Sequence, residues 1–162
     1  NVCSSTIIYG EKFNSSFGSK YEDLFDECKN TKNVNYLGYV ENKKLIEILK
    51  KTHIFSYPSI WTETSCVAAI EAMAAGCNIV TTNLGALYET CSPFANFVNF
   101  DRDLNKLEGK YHKALLHDIN NYWSKKNQNK IKLQAEIINE TYSWETRSIE
   151  WKSFFNEIKN KS

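Results

Sequence analysis

The first hundred residues alternate short apolar runs with longer stretches in which apolar positions recur at helical spacing. β-Branched and aromatic runs that stop at glycine, proline or polar loops predict strands at residues 6–9, 34–40, 53–57, 78–82 and 97–100. Apolar positions three and four apart predict helices at about 19–29, 42–51 and 65–75, and a short helical turn at about 86–90. This order predicts an α/β fold, a Rossmann-like parallel sheet flanked by helices and joined by right-handed crossovers.

After residue 104 the pattern is helical only. Apolar spacing predicts helices at 107–123, 131–138 and 144–158. We expect the aromatic side of the last one to pack against other helices; the alternative is that part of it is exposed in this chain. No internal repeat and no break in composition divides the chain, so we expect residues 1–162 to form a single domain. The chain starts at Asn1 and its only methionine is Met73, so we expect the natural start to lie upstream.

Composition and charge exclude several classes of function. The 20 basic and 19 acidic residues give a net charge of +1, which provides no electrostatic excess for non-specific binding to nucleic acid. The five cysteines include no C-x-x-C pair and no histidine stands at metal-ligand spacing, so we expect neither a disulfide framework nor a metal site. No apolar run approaches the roughly 20 residues of a membrane-spanning helix. Free thiols favour a reducing, cytoplasmic compartment.

Two glutamates, Glu63 and Glu71, are the main candidates for functional side chains. Glu63 follows the third predicted strand, and Glu71 lies in the helix predicted after it. Val67, Ile70 and Ala74 form the stripe of that helix that we expect to face the sheet, and Glu71 falls on the same stripe. A carboxylate there needs a protein donor or a ligand, because burying it unpaired is costly.

The start of the same helix is a candidate anion site. Ligands bind open α/β sheets outside the carboxyl ends of the strands, and the free amides of a helix N-terminus favour phosphate groups. We therefore expect the amides around Thr64 to Val67 to hold a diphosphate without a metal, with Glu71 within reach of an attached ribose. Glu63 is expected to accept hydrogen bonds from sugar hydroxyls; the alternative is a solvent-exposed loop side chain.

The same residues resemble a known family. PSIWTETSCVAAIEAMAAG at 58–76 and NIVTTNLGALYE at 78–89 look like the nucleotide-binding half of the GT-B glycosyltransferases. The closest likeness is to the large retaining group, glycosyl transferases group 1, whose Glu-x7-Glu mark is matched by Glu63 and Glu71. The resemblance extends over about residues 4–100, with YLGYV upstream and GAL downstream of the glutamates.

What the resemblance implies is a C-terminal, donor-binding domain of a GT-B enzyme. Glu63 would be the catalytic-site carboxylate that holds hydroxyls of the transferred sugar, and Glu71 would hold the ribose. The diphosphate would lie against the segment formed by Thr64, Ser65, Cys66 and Val67. The base would contact the backbone of Gly38, Tyr39 and Val40.

The resemblance also implies partners and a reaction. The donor would be a nucleoside-diphosphate sugar, with UDP-sugar favoured over GDP-sugar, and no metal or other cofactor is expected. A glycan, lipid or protein acceptor would be bound by an N-terminal domain absent from this chain, and a basic Arg and Lys pair would lie upstream. We expect this chain alone to bind donor without catalysis, and the full-length protein to be cytoplasmic, with peripheral membrane contact left open.

Other readings remain open. A sugar-nucleotide epimerase on the same scaffold and a non-catalytic nucleotide-sugar-binding subunit both fit the pattern. No chemistry is assigned to His53, His112 or His117, because none lies in the predicted pocket loop. Cys66 is placed where a helix N-terminus favours a thiolate, yet the resemblance uses only its amide, so we do not expect a nucleophile.

Overall fold

The computed structural model describes residues 2–3, 22–38 and 40–161. The chain divides into two compact units, Asn1–Leu45 and Ile46–Ser162. The predicted strand at 6–9 and the loop after it lie outside the described residues. The prediction that residues 1–162 form one domain stays a prediction.

In its described residues the first unit shows a pair of parallel strands and the helix α1 (Glu22–Asn30). Strand β1 (Val2–Cys3) pairs with β2 (Tyr36–Gly38), and helix α1 precedes β2. The ring of Phe25 stacks on that of Tyr36 with centroids 5.6 Å apart, which packs α1 against β2. Helix α2 (Asn42–Leu49) spans the boundary between the units.

The second unit is built around a three-stranded parallel sheet. Its strands are β3 (Ile54–Tyr57), β4 (Asn78–Thr82) and β5 (Asn96–Val98), in the order β3-β4-β5. Its helices are α3 (Val67–Ala74), α4 (Leu87–Cys91), α5 (Leu104–Asn121), α6 (Lys125–Thr141) and α7 (Trp144–Lys161). The predicted α/β class with a Rossmann-like parallel sheet is confirmed and is consistent with one half of a GT-B fold.

Strand β4 lies at the centre of the sheet, and all five of its residues are buried. On one side the ring of Tyr111, from α5, packs with Val80 and Val98, and its hydroxyl donates to the Val80 carbonyl at 2.6 Å. Ser56 of β3 hydrogen-bonds to the same hydroxyl at 3.1 Å. A single tyrosine therefore ties α5 to two strands.

Helix α3 buries a different face from the one predicted. Ala69, Ala72 and Met73 have no exposed surface, whereas Val67 is 62% exposed. The prediction that Val67 lies on the buried stripe was therefore wrong. Glu71, which was predicted to share that stripe, is half-buried. The alanines decide the orientation, because small side chains let the helix approach the sheet and its neighbouring helices closely.

Helix α6 closes the C-terminal end of α3. The Gln134 side chain donates to the carbonyls of Met73 at 3.2 Å and Cys77 at 2.8 Å, and the Asn139 amide donates to the Ala74 carbonyl at 2.9 Å. The last carbonyls of a helix have no partner within the helix. Helix α6 therefore supplies hydrogen-bond donors at the point where α3 ends.

Helix α7 has no buried residue. The rings of Trp151, Phe154 and Phe155 pack on one another, yet each is at least half exposed. The expected packing of this aromatic side against other helices is not found among the described residues. None of the helices in the described part of the chain is both long and apolar enough to cross a membrane.

The packing of α3 makes a stability prediction. Replacing the buried Ala69 by Leu should lower the free energy of unfolding by about 1–3 kcal/mol, because the helix has no room for three more carbons. Ala68→Leu is the matched control, since Ala68 is exposed on the same turn. Chemical denaturation followed by circular dichroism measures both. Equal stability of the two variants would contradict the close packing of this face.

Candidate functional site

Two loops meet at the carboxyl edge of the three-stranded sheet. One runs from Pro58 to Cys66, between β3 and α3, and the other from Asn83 to Ala86, between β4 and α4. Hydroxyls at the end of β4 hold the end of β3 and the start of the first loop: Thr81 Oγ1 donates to the Tyr57 carbonyl at 2.9 Å, and Thr82 Oγ1 donates to the Ser59 carbonyl at 2.7 Å.

Asn83 extends the same edge toward β5. Its backbone amide donates to the Val98 carbonyl at 3.2 Å, and its side-chain oxygen accepts from the Phe100 amide at 2.8 Å. The Asn83 side-chain amide donates to Asn99 Oδ1 at 3.0 Å. The edge is therefore held together by hydrogen bonds across all three strands before any ligand is present.

The backbone of Gly85 lies directly against that of Glu63. Gly85 has a φ of +60°, and a Cβ added there would lie 2.6 Å from the Glu63 carbonyl oxygen and 2.7 Å from its nitrogen. The Ala86 amide donates to the Glu63 carbonyl at 2.8 Å. Only glycine allows this approach, so the β4–α4 loop sets the position of Glu63.

The side chain of Glu63 is half-buried and held by Tyr57. The phenol of Tyr57 donates to Glu63 Oε1 at 2.6 Å. Burial first, and then the hydrogen bond with Glu63, raise the pKa of Tyr57 above its usual value. The phenol thus stays protonated over the physiological range and acts as a donor to the carboxylate.

Cys66 stands at the N-cap of α3 and is buried, with 4% of its surface exposed. Burial is the main reason that the pKa of its thiol is raised, and the nearby Glu63 carboxylate acts in the same direction. The amides of Ala68 and Ala69 and the Tyr57 hydroxyl oppose the shift without reversing it. With its pKa raised, the thiol is neutral near pH 7.

Helix α3 begins two residues later than predicted, at Val67. The amides of Ala69 and Ile70 both donate to the Cys66 carbonyl at 3.1 Å. No described residue accepts a hydrogen bond from the backbone amides of residues 64–67. Thr64, Ser65 and Val67 are exposed while Cys66 is buried, and the segment lies at the positive end of the helix, where an anion is favoured.

Glu71 lies one turn into α3. Its Cα is four residues beyond the start of the helix, roughly 6 Å along the axis. The side chain of Glu71 is half-buried, and the next residue in the helix, Ala72, is buried. Glu63, the amides of residues 64–67 and Glu71 thus follow one another along a continuous loop and helix.

The residues predicted to contact the base belong to the first unit. Gly38 is the last residue of β2, is buried and has a φ of +59°. Val40 is half-buried, and Tyr39 lies outside the described residues. Their role in binding a base stays a prediction.

The histidines lie away from these loops. The ring of His53 packs edge-on against those of Tyr122 and Trp123, His117 contacts Asp118 through Nδ1 at 3.1 Å, and His112 is exposed. Within residues 22–38 and 40–161, no group of three or more His, Cys, Asp or Glu side chains is arranged to hold a metal ion.

Residues 5–137 match the family model for glycosyl transferases group 1. The chain belongs to this family. A relative from Klebsiella pneumoniae, named "Uncharacterized 41.2 kDa protein in cps region", is 28% identical over 113 residues. That match covers 68% of this chain and 30% of the relative, so the chain spans less than a third of the relative's length. No solved structure matches the chain significantly. The predicted membership of glycosyl transferases group 1 is confirmed, whereas the retaining mechanism and the C-terminal, donor-binding role stay predictions.

The contact between the two loops of this glycosyltransferase family member can be tested by a pair of glycine variants. Gly85→Ala should destabilise the fold, because the left-handed backbone costs a non-glycine residue roughly 1–2 kcal/mol and the methyl group clashes with the Glu63 backbone. Gly109→Ala, in α5 where no described atom outside the local helix backbone lies within 4 Å of the new Cβ, should instead stabilise it by about 0.5–1 kcal/mol.

Thermal and urea unfolding of both variants measure these changes. A Gly85→Ala variant as stable as the unmodified chain would show that the loops do not pack as described. Gly109→Ala measures the general effect of replacing a glycine by alanine. Comparing the two variants therefore isolates the effect of the clash at Gly85.

Proposed function

We propose that this chain is the donor-binding domain of a retaining glycosyltransferase, which transfers a sugar from a nucleoside-diphosphate sugar to an acceptor. The observation that carries the proposal is the sequence of groups at one sheet edge: a fixed carboxylate at Glu63, backbone amides at residues 64–67 that donate to no described residue, and Glu71 one helical turn later. Membership of glycosyl transferases group 1 supports it.

The diphosphate of the donor is bound by the backbone around the start of α3, formed by Thr64, Ser65, Cys66 and Val67. Backbone amides that donate to no described residue and the positive helix end favour a charged phosphate there, and the neutral Cys66 thiol adds no opposing charge. As the bond to the sugar breaks, negative charge grows on this diphosphate. Donors fixed in advance stabilise such a charge without reorganisation.

Glu63 holds hydroxyls of the transferred sugar. Its Oε1 accepts from Tyr57, and among the described residues none donates to Oε2, which leaves that oxygen for the sugar. Glu71 accepts hydrogen bonds from the ribose, since roughly 6 Å of helix separates it from the first amides of α3. The backbone of Gly38, Tyr39 and Val40 contacts the base, with UDP favoured over GDP.

Catalysis belongs to a larger protein in this proposal. A further domain positions the hydroxyl of a glycan, lipid or protein acceptor against the donor, and positioning of this kind contributes much of the rate. The reaction retains the anomeric configuration and needs no metal. The present chain binds donor without turning it over, and the full-length protein works in the cytoplasm, where nucleotide sugars are its donors.

Calorimetric titration of the chain with UDP, GDP and ADP, and with their sugar derivatives, tests the donor site. We expect saturable binding with a preference for one base. Glu71→Ala should weaken that binding about tenfold or more, because a hydrogen bond to a charged group contributes on the order of 1.5–3 kcal/mol. Glu108→Ala, which removes an exposed glutamate from α5, is the control.

Unchanged nucleotide affinity in the Glu71→Ala variant would contradict the assignment of the ribose to Glu71. Product analysis with the full-length protein addresses the reaction itself. Transfer of sugar to an acceptor is the expected result, whereas a changed sugar without any acceptor would identify an epimerase, and tight binding without turnover would identify a binding subunit.

Tyr57→Phe tests the positioning of Glu63. The variant keeps the ring that stacks on Phe55 with centroids 5.8 Å apart and removes only the hydroxyl that holds Oε1. Affinity for the sugar nucleotide should fall about threefold to tenfold, as for the loss of one hydrogen bond, while affinity for the free nucleoside diphosphate stays the same. Tyr88→Phe, at an exposed position, serves as control. An equal loss for both ligands would argue against a role for Glu63 at the sugar.

A further inference from the structure

A cavity of about 820 Å³ opens at the other end of the second unit. It lies between the start of β5 and the helices α5 and α6, where Asn96, Lys113 and Lys126 are among its lining residues. Strands β4 and β5 begin on this side, so the cavity is at the amino edge of the sheet, away from the loops at 58–66 and 83–86. Its volume is within the range of small-molecule sites, about 300–1,000 Å³.

A buried carboxylate forms part of the cavity wall, and its charge is compensated by the protein. Asp118 accepts hydrogen bonds from Asn78 at 2.6 Å and from Asn96 at 2.8 Å, and His117 Nδ1 lies 3.1 Å from the same carboxylate. The Asn78 side chain thus binds Asp118 through its nitrogen, while its oxygen, Oδ1, accepts from Lys130 at 2.8 Å. Both oxygens of Asp118 are thus occupied within the network.

Three lysines of the cavity wall, Lys113, Lys126 and Lys130, form no direct ion pair with a described carboxylate. Lys130 is half-buried, and burial lowers the pKa of its ammonium group although Asp118 acts against the shift. In a chain of net charge +1, this is a local concentration of cations.

The start of α6 adds to the positive potential of the cavity. Ser124 caps this helix, accepting from the Asn127 amide at 3.3 Å, and both residues line the cavity. The first turn contains Lys125 and Lys126 and no acidic residue. Cations at the positive end of a helix are unfavourable, and a bound anion would relieve this repulsion.

We propose that this cavity binds a small molecule that carries a phosphate or diphosphate group, at a site distinct from the proposed donor site. The ammonium groups of Lys113, Lys126 and Lys130 contact the phosphate oxygens, as lysines do in phosphate sites generally. Asn121, which also lines the cavity, presents a polar side chain near the rest of the ligand.

The test is a titration of the ¹⁵N-labelled chain with inorganic phosphate and with pyrophosphate, followed by NMR at constant ionic strength set with sodium chloride. We expect saturable shifts of the amides of Ala95, Asn96, Lys126 and Asn127. The double variant Lys113→Gln/Lys126→Gln should weaken this binding about tenfold or more, because it removes two charge-assisted contacts.

The matched control is Lys106→Gln/Lys132→Gln, which removes the same charge from exposed positions of the same two helices outside the cavity. It should bind phosphate as the unmodified chain does. Equal weakening in both double variants, or shifts confined to residues 64–67, would overturn the proposal.

Sedimentation with vesicles of phosphatidylglycerol separates a soluble ligand from a lipid headgroup. A soluble phosphorylated ligand predicts shifts with pyrophosphate and no cosedimentation that depends on Lys113 and Lys126. Cosedimentation that those lysines control, without saturable shifts from pyrophosphate, would replace the proposed ligand by a membrane surface.

Discussion

The hydrogen-bonding needs of one buried strand shape both ends of the sheet. Every residue of β4 is buried, and three of its five side chains, those of Asn78, Thr81 and Thr82, are polar. A buried polar group that lacks a partner is costly, so each of these side chains has one. Thr81 donates to the last residue of β3, Thr82 donates to the loop after it, and Asn78 joins Asp118 to Lys130. Strand β4 therefore organises the loops at its carboxyl end and the helices at its amino end.

The positive potential at the two edges of the sheet comes from different chemical groups. At the carboxyl edge the groups are backbone amides of residues 64–67 and the dipole of α3, which do not depend on pH. At the amino edge they are the ammonium groups of three lysines, two of them exposed and one half-buried. Fixed amides select by geometry, whereas flexible lysines accept anions of varied shape.

The sequence was most informative where local pattern decides the structure. Strand β4 was predicted with the bounds it has, because its four β-branched residues after Asn78 form a short run that is clearly ended. Helix α6 was predicted only over 131–138, since its first turn of lysines and asparagines carries no apolar spacing. The buried face of α3 was assigned to Val67 by hydrophobicity, while the small size of Ala69 and Ala72 determines it.

The hydrogen bond from Tyr57 to Glu63 and the close approach of Gly85 to the Glu63 backbone depend on two loops that meet in space. No local sequence pattern encodes such a meeting. The one available signal was a glycine soon after a strand.

The contact of Gly85 with Glu63 also constrains how the lengths of the two loops can change during evolution. An insertion or deletion on one side would pull one backbone away from the other, or drive them into each other, because no side chain separates them. Surface loops usually tolerate changes of length well, but here such a change on one side requires a compensating change on the other. The lengths of the segments 58–66 and 83–86 should therefore vary together among related proteins, or hardly at all.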